Sequence, residues 1–167
     1  MFLCRNGSNT CACQDSFHQC HLSNVQRPGR GERIRQVNGD EYFVTFTDAN
    51  QTISAVEELC HSWKRIVERY KLGISIGVHK GNLKVIRSFV YGDDIRTTAY
   101  LTELGKLYHP GQDEIRVVTS RKVSNEFQGT EWEVKFRELD NEMTTKEVHK
   151  MIFNEHGAYE FIVGDEL

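Results

Sequence analysis

The sequence predicts an α+β or α/β domain, in which strands and helices are interleaved on one sheet and the helices cover one of its faces. Two patterns support this fold class. Apolar residues recur at intervals of three and four between residues 48 and 70, as on one face of an amphipathic helix. On both sides of that segment, apolar residues alternate with polar or small ones, as in strands. With 167 residues, of which 38% are apolar and 27% charged, the chain has the composition of one globular domain.

Residues 31–47 predict a β-hairpin. Asn38-Gly39 is a dipeptide that tolerates the positive φ of a two-residue turn, and apolar residues alternate along the strand that follows it. Asp40 comes directly after this turn. A carboxylate there can reach a divalent cation, because Mg²⁺ and Mn²⁺ prefer hard oxygen ligands. A purely structural explanation competes with this one, since Asp is common in turns.

The remaining elements follow in chain order. The helix over 48–70 begins after Asp48, which forms an approximate capping box with Gln51, and Gly73 can end it. The later segments show the periods of strands and helices. They predict strands at 72–78, 83–91, 114–119, 131–138, 146–153 and 158–163, and helices at 93–108 and 120–127.

Charge and hydropathy disfavour two classes of partner. The net charge is −3 and no run of basic residues is present, which disfavours a nucleic-acid partner. No apolar stretch has the length of a membrane span, and the chain does not open with a signal peptide. We therefore expect a cytoplasmic protein without a nucleic-acid or membrane partner.

Residues 1–30 differ in composition from the rest of the chain. Most of the cysteines lie there among Ser, Asn, Gln and Gly: Cys4, Cys11, Cys13 and Cys20. Their spacing lacks the paired knuckles of structural zinc sites, and disulfides are rare in cytosolic proteins. We expect a polar, cysteine-rich, disordered leader. The RPGRG stretch at 27–31 marks its boundary with a domain over residues 31–167.

Segments in a fixed order along the chain resemble the motifs of one family. Residues 31–46 (GERIRQVNGDEYFVTF) resemble a Gly-Asp hairpin, and residues 74–82 (ISIGVHKGN) an Arg-Ile-Gly-Ile-His-x-Gly strand. Residues 91–101 (YGDDIRTTAYL) resemble a Gly-x-x-Val-Asn-x-Ala-x-Arg-Leu helix start, and residues 110–123 (PGQDEIRVVTSRKV) a Pro-Gly-x-Ile-x-Val-Ser strand and helix. These are motifs of class III nucleotidyl cyclase catalytic domains, the adenylate and guanylate cyclases. The resemblance implies an α+β fold with a ferredoxin-like, palm-type sheet, a homodimer, and cyclisation of a nucleoside triphosphate with Mn²⁺ or Mg²⁺.

The resemblance also assigns site residues. Asp40 takes the place of a metal ligand. Arg96 and Tyr100, which share a helical face because they are four apart, take the places of the Asn and Arg that orient the ribose and stabilise the triphosphate. Gln36 and Phe89 take the places of the Lys and Asp with which adenylate cyclases read adenine. An amide and an aromatic ring cannot read adenine as that pair does, and the bulky ring favours a smaller base. In its size and its soluble single domain, the chain resembles the bacterial antiphage pyrimidine cyclases. Together with the changed base-site pair, this resemblance implies UTP or CTP as substrate.

One feature of the family is missing from the sequence. The family's first strand ends in a second metal-binding Asp before the hairpin. Asp15 lies in a polar stretch without an apolar strand before it, and we do not assign it that role. The domain is therefore predicted to be N-terminally incomplete relative to the family. Two alternatives to a cyclase stay open: a catalytically degenerate cyclase-fold dimerisation or regulatory partner, and a diguanylate cyclase, whose Gly-Gly-Asp-Glu-Phe turn NGDEYF also resembles.

Overall fold

The computed structural model describes residues 2–6, 33–38, 41–86, 89–108, 114–140 and 147–164. The strands in this part of the chain are β1 (Phe2–Asn6), β2 (Arg33–Asn38), β3 (Glu41–Thr45), β4 (Ile74–Val78), β5 (Lys84–Ile86), β6 (Phe89–Tyr91), β7 (Ile115–Thr119), β8 (Phe136–Glu138) and β9 (Tyr159–Phe161). The helices are α1 (Ala49–Tyr70), α2 (Asp93–Tyr108), α3 (Arg121–Glu126) and α4 (Glu147–His156), and a 3₁₀ turn covers Glu133–Lys135. No helix within these ranges has both the length and the apolar character needed to cross a membrane.

A mixed sheet organises these elements. Its strand order is β2-β3-β1-β4-β7-β9-β8. β4 and β7 pair in parallel, and the other described pairs of this sheet are antiparallel. β5 and β6 form a separate antiparallel pair. The prediction of an α+β fold is confirmed, and the predicted dimer stays a prediction.

α1 covers one face of the sheet. Asp48 accepts a hydrogen bond from the backbone N–H of Gln51 (2.8 Å), as its predicted capping role requires. The helix ends at Tyr70, where Lys71 caps it in a left-handed conformation (φ 55°), and not at Gly73. Burying one large aliphatic or aromatic side chain contributes about 1.5–3 kcal/mol, so the core below α1 is a main source of stability. Its buried residues include Tyr42, Val44, Ile53, Val56, Leu59, Trp63, Ile74, Ile76 and Val78.

α2 covers the opposite face. Ser75 Oγ donates a hydrogen bond to the carbonyl oxygen of Thr102 (2.6 Å). A Cβ atom at Gly77 would lie 2.3 Å from the carbonyl oxygen of Thr98, so glycine is what allows this close approach of helix and strand. Ser75 and Gly77 alternate along β4 with the residues that contact α1, and therefore face the other side. Helices thus lie on both faces of the sheet, whereas the sequence pattern predicted them on one.

β1 lies inside the predicted leader. Phe2–Asn6 form a strand between β3 and β4, antiparallel to both. These residues are therefore part of the sheet, and the prediction of a disordered leader is wrong for them. Residues 7–32 lie outside the described ranges, so the boundary between leader and domain near residue 30 stays a prediction.

Three other segments differ from their predicted structure. The single strand predicted at 83–91 is the β5–β6 pair, and the strand predicted at 131–138 is a 3₁₀ turn followed by β8. The strand predicted at 146–153 is part of α4. His149 and Ile152, three residues apart, are both buried, as expected for residues on one face of a helix.

Candidate functional site

The predicted base-site residues lie on two strands that contact each other. Gln36 is on β2, opposite Phe43 of β3 and next to a shift in register. Phe89 is on β6, opposite Ile86 of β5. Because β2 and β6 are in contact, Gln36 and Phe89 lie on neighbouring strands of the same protomer. Asp40, in the turn between β2 and β3, lies outside the described residues.

Arg96 and Tyr100 lie on α2 as predicted, in different surroundings. Arg96 is exposed. Tyr100 is half-buried, and its ring meets the ring of His149 on α4 edge to face, with the centroids 5.7 Å apart. His149 Nε2 also lies 3.0 Å from Glu103 Oε2 of α2. Arg96 is therefore accessible to a ligand at the surface, whereas Tyr100 contributes to the contact between α2 and α4.

A buried polar network that was not predicted from the sequence joins β4, β7 and α2. His79 directly follows β4 and is completely buried. Its Nε2 lies 2.9 Å from Asp94 Oδ1 in the first turn of α2. Its Nδ1 lies 2.8 Å from the Oγ of Ser120, which directly follows β7. Asp94 Oδ2 accepts a further hydrogen bond from the backbone N–H of Asn82 (2.8 Å). One imidazole thus connects three elements of the fold.

The donors and acceptors fix the protonation of this network. Burial lowers the pKa of His79 below its ordinary value, which keeps the imidazole neutral. The Asp94 carboxylate can only accept, so His79 Nε2 carries the hydrogen and Nδ1 accepts from the Ser120 hydroxyl. Partial burial acts to raise the pKa of Asp94, but the hydrogen bonds from His79 and from the Asn82 N–H outweigh it, and the pKa is lowered overall. The network therefore joins a neutral imidazole to an ionised carboxylate.

This Ser–His–Asp arrangement is not a nucleophilic site. Ser120 and His79 are both fully buried, so a substrate cannot reach the serine oxygen, as nucleophilic catalysis requires. The Ser120 N–H also donates to the carbonyl oxygen of Val78 (3.0 Å), which ties the ends of β4 and β7 together. The network holds elements in place. A signal for it exists in the sequence: a histidine directly after an apolar strand, inside the ISIGVHKGN segment.

A cavity of about 380 Å³ borders the network. It lies between the ends of β3 and β4, the start of α1 and α3, and its lining includes Asp48, Lys80 and Glu126. Lys80 Nζ lies 2.5 Å from Glu126 Oε1, and Asp48 caps α1, so these charges already have partners in the wall. The lining that the structure describes includes none of the predicted site residues.

Solved structures share this fold. The crystal structure of an adenylate/guanylate cyclase/hydrolase from Silicibacter pomeroyi has a TM-score of 0.66 at 14% identity, over 98% of this chain and 96% of that chain. Two structures of a bacterial light-regulated adenylyl cyclase have TM-scores of 0.58 and 0.57 at 13% and 14% identity. They match 96% and 95% of this chain, which spans 50% and 49% of theirs. This chain has the class III cyclase fold. No protein-family model and no curated protein matches its sequence.

The class III cyclase fold typically uses divalent metal ions. The sequences of β1 and of the hairpin decide which metal-ligating side chains this chain has at that end of the sheet. The sheet register places Arg5 of β1 opposite Glu41 of β3, which directly follows Asp40. β1 reads Phe-Leu-Cys-Arg-Asn and brings no carboxylate to this end of the sheet. Among the described residues, no group of three or more His, Cys, Asp or Glu side chains could hold a metal ion. In the sequence, the carboxylates at this hairpin are those of Asp40 and Glu41, whose oxygens suit a hard cation such as Mg²⁺ or Mn²⁺. The sequence of β1 adds no further carboxylate, whereas two-metal chemistry needs carboxylates that the two ions share.

Proposed function

We propose that this chain is a nucleotidyl cyclase that acts as a homodimer and converts a nucleoside triphosphate, preferably UTP or CTP, to a 3′,5′-cyclic nucleotide second messenger. The observation that carries the proposal is the class III cyclase fold. The exposed position of Arg96 on α2 supports it, since this helix presents the ribose- and phosphate-binding residues in the family. The resemblance to the pyrimidine cyclases adds a role in bacterial antiphage defence, in the cytoplasm.

The proposed reaction is an intramolecular displacement at phosphorus. The ribose 3′-oxygen attacks the α-phosphorus, the bond from that phosphorus to pyrophosphate breaks, and the 3′-hydroxyl proton leaves to solvent. Holding the ribose and phosphates in line, and meeting the charge on the phosphates, supplies most of the rate enhancement. A divalent cation at Asp40 would neutralise phosphate charge and acidify the 3′-hydroxyl.

Each proposed role follows from the chemistry of the side chain. The planar guanidinium of Arg96 presents a fork of donors that suits phosphate oxygens. The Tyr100 hydroxyl can hydrogen-bond a phosphate oxygen while its ring stays against α4. Gln36 and Phe89 line the base site, where the amide both donates and accepts and the ring limits the space. In the proposed dimer, Asp40 comes from one protomer and α2 from the other.

One observation favours a second function, that of a cyclase-fold regulatory partner without turnover. β1 brings no carboxylate to the hairpin, and a single carboxylate rarely holds two ions. In this second function, the chain would keep the fold and the dimer and would not cyclise a nucleotide.

Incubating the purified full-length chain with Mn²⁺ or Mg²⁺ and each of the four nucleoside triphosphates tests the proposal. We expect mass spectrometry to find cyclic UMP or cyclic CMP in preference to cyclic AMP, because a site without its hydrogen-bonding partners for adenine discriminates against it. Asp40→Asn should abolish the product. Asp15→Asn is the matched control and should leave turnover unchanged, since Asp15 has no assigned role.

Other products would contradict parts of the proposal. A clear preference for ATP would overturn the assignment of Gln36 and Phe89 to a pyrimidine site. Linear or cyclic dinucleotides made from GTP would support a diguanylate cyclase. No product from any triphosphate, together with a stable dimer in solution, would support the regulatory partner.

A further inference from the structure

We propose that His79 is a positioning residue for the nucleotide site, which holds the first turn of α2 in place through Asp94 and thereby sets the position of Arg96. This inference rests on the proposed function, since that function assigns Arg96 to the ribose and phosphates. His79 itself is completely buried and touches no substrate.

The imidazole is anchored on the sheet side. His79 directly follows β4, and its Nδ1 accepts from the hydroxyl of Ser120. The backbone N–H of Ser120 donates to the carbonyl oxygen of Val78 (3.0 Å), the residue before His79. The ring is therefore fixed at the junction of two parallel strands, where the buried sheet allows little movement.

Asp94 connects the fixed His79 ring to the first turn of α2. One carboxylate oxygen accepts from His79 and the other accepts from the Asn82 N–H. A Cβ atom at Gly81 would lie 2.2 Å from Asp94 Cγ, so the loop after β4 closes directly on the carboxylate. Thr98 Oγ1 donates to the carbonyl oxygen of Asp94 (2.8 Å), which extends the connection to the next turn of the helix.

Arg96 depends on this turn for its position. It lies two residues after Asp94, and its side chain is exposed. Its neighbour Ile95 packs against the buried ring of Phe43, so the helix turn also rests on β3. Because a misplacement of about 1 Å can cost on the order of 10²-fold in rate, the exposed guanidinium requires a firmly held backbone.

α4 closes the network from the far side. The His156 ring meets the His79 ring edge to face, with the centroids 5.2 Å apart. His156 Nε2 lies 3.5 Å from Thr97 Oγ1 of α2. Because His79 is completely buried, water competes little for its hydrogen bond to Asp94, and the low local dielectric strengthens that bond.

Hydrogen exchange with two replacements of His79 tests this proposal. His79→Gln places an amide donor near the position of Nε2, whereas His79→Phe keeps the shape of the ring and removes the donor. If His79 positions α2, the amides of residues 92–101 should exchange on the order of tenfold faster in His79→Phe and stay close to wild type in His79→Gln. Amides of α1 serve as the internal control. If His79 only fills space, Phe should protect α2 better than Gln, and that result would overturn the proposal.

Asp94→Asn weakens the same hydrogen bond from the helix side and covers the case in which His79→Phe does not fold. Its residues 92–101 should also exchange faster than those of wild type, and unchanged exchange would overturn the proposal.

Enzyme kinetics of the His79 variants, measured with the triphosphate that the wild type cyclises, provide a second test. In His79→Phe, kcat should fall on the order of 10²-fold with KM little changed, and His79→Gln should restore most of it. If the wild type has no turnover, the proposed function fails, and the exchange data still decide whether His79 holds α2.

Discussion

Two almost fully buried histidines bind the same helix in different ways. His79 and His149, which are 0% and 1% exposed, each lie at hydrogen-bonding distance from a carboxylate of α2. The second ring nitrogen of His79 has Ser120 as its partner, whereas Nδ1 of His149 is buried and has no hydrogen-bond partner among the residues that the structure describes. The start of α2 is thus held by the His79 imidazole, which has partners for both of its nitrogens. The middle of α2 is held by the His149 imidazole, which has a partner for one.

The exposure of the two carboxylates explains what this difference means. The side chain of Asp94 is 23% exposed and that of Glu103 is 40% exposed. A carboxylate with less access to water depends more on its protein partners. α2 therefore has a rigid start, where Arg96 lies, and a more adaptable middle, where Tyr100 shares the contact with α4.

The largest difference that we expect between the two histidines is in the stability lost when each is replaced. His79→Leu removes the imidazole from between the Asp94 carboxylate, which keeps only its bond from the Asn82 N–H, and the Ser120 hydroxyl. It should lower the free energy of unfolding by about 2–4 kcal/mol. His149→Leu is the matched control and should cost about 1 kcal/mol or less, because it also removes an unpaired nitrogen and water can reach Glu103. Urea denaturation followed by circular dichroism measures both. Equal losses in the two variants would show that the two histidines stabilise α2 equally.

A smaller effect is expected from pH. The pKa of His79 is lowered in the folded protein by burial, against the opposing effects of Asp94, with His156 and Lys122 adding to the lowering. The unfolded chain therefore binds a proton at this residue before the folded protein does, so the stability from a neutral His79 is complete above pH 6.5 and is lost as the pH falls below it. Asp94, whose pKa is also lowered, loses its contribution in the same direction, below pH 3.8.

Urea denaturation at several pH values between 8 and 5 measures this slope. His79→Gln, which cannot titrate, should lose less stability than the wild type between about pH 7 and 5.5. The same slope in both proteins would mean that other groups cause the pH dependence and that His79 is not held neutral by the network.

Much of the fold could be predicted because local periodicity decides it. The helix over 93–108 and the strand over 114–119 match α2 and β7 within one residue. α4 was misread because its few apolar residues fit either period over a short window, and only packing against α2 selects the helix. β1 was missed because Phe2–Asn6 contain no clear alternation, and their pairing with β3 and β4 comes from distant residues.

The site was predictable only where a motif marks it. The resemblance led to Arg96 and Tyr100, and the structure places both on α2, but their roles stay predictions. The His79 network was not predicted because its members lie 15 and 41 residues apart in sequence, and only the fold brings them together. Asp40 stays a predicted ligand, since the turn that carries it lies outside the described residues.

Mixing two inactive variants tests the central claim, a nucleotidyl cyclase site shared between protomers, most directly. Asp40→Asn removes the proposed metal ligand, and Arg96→Ala should cost on the order of 10²–10³ in rate if its guanidinium meets developing charge. In an equal mixture that has exchanged subunits, half of the dimers carry one intact site of two, so cyclic nucleotide should return at about a quarter of the wild-type rate. An active wild type whose mixed variants make no more product than either variant alone would contradict the account.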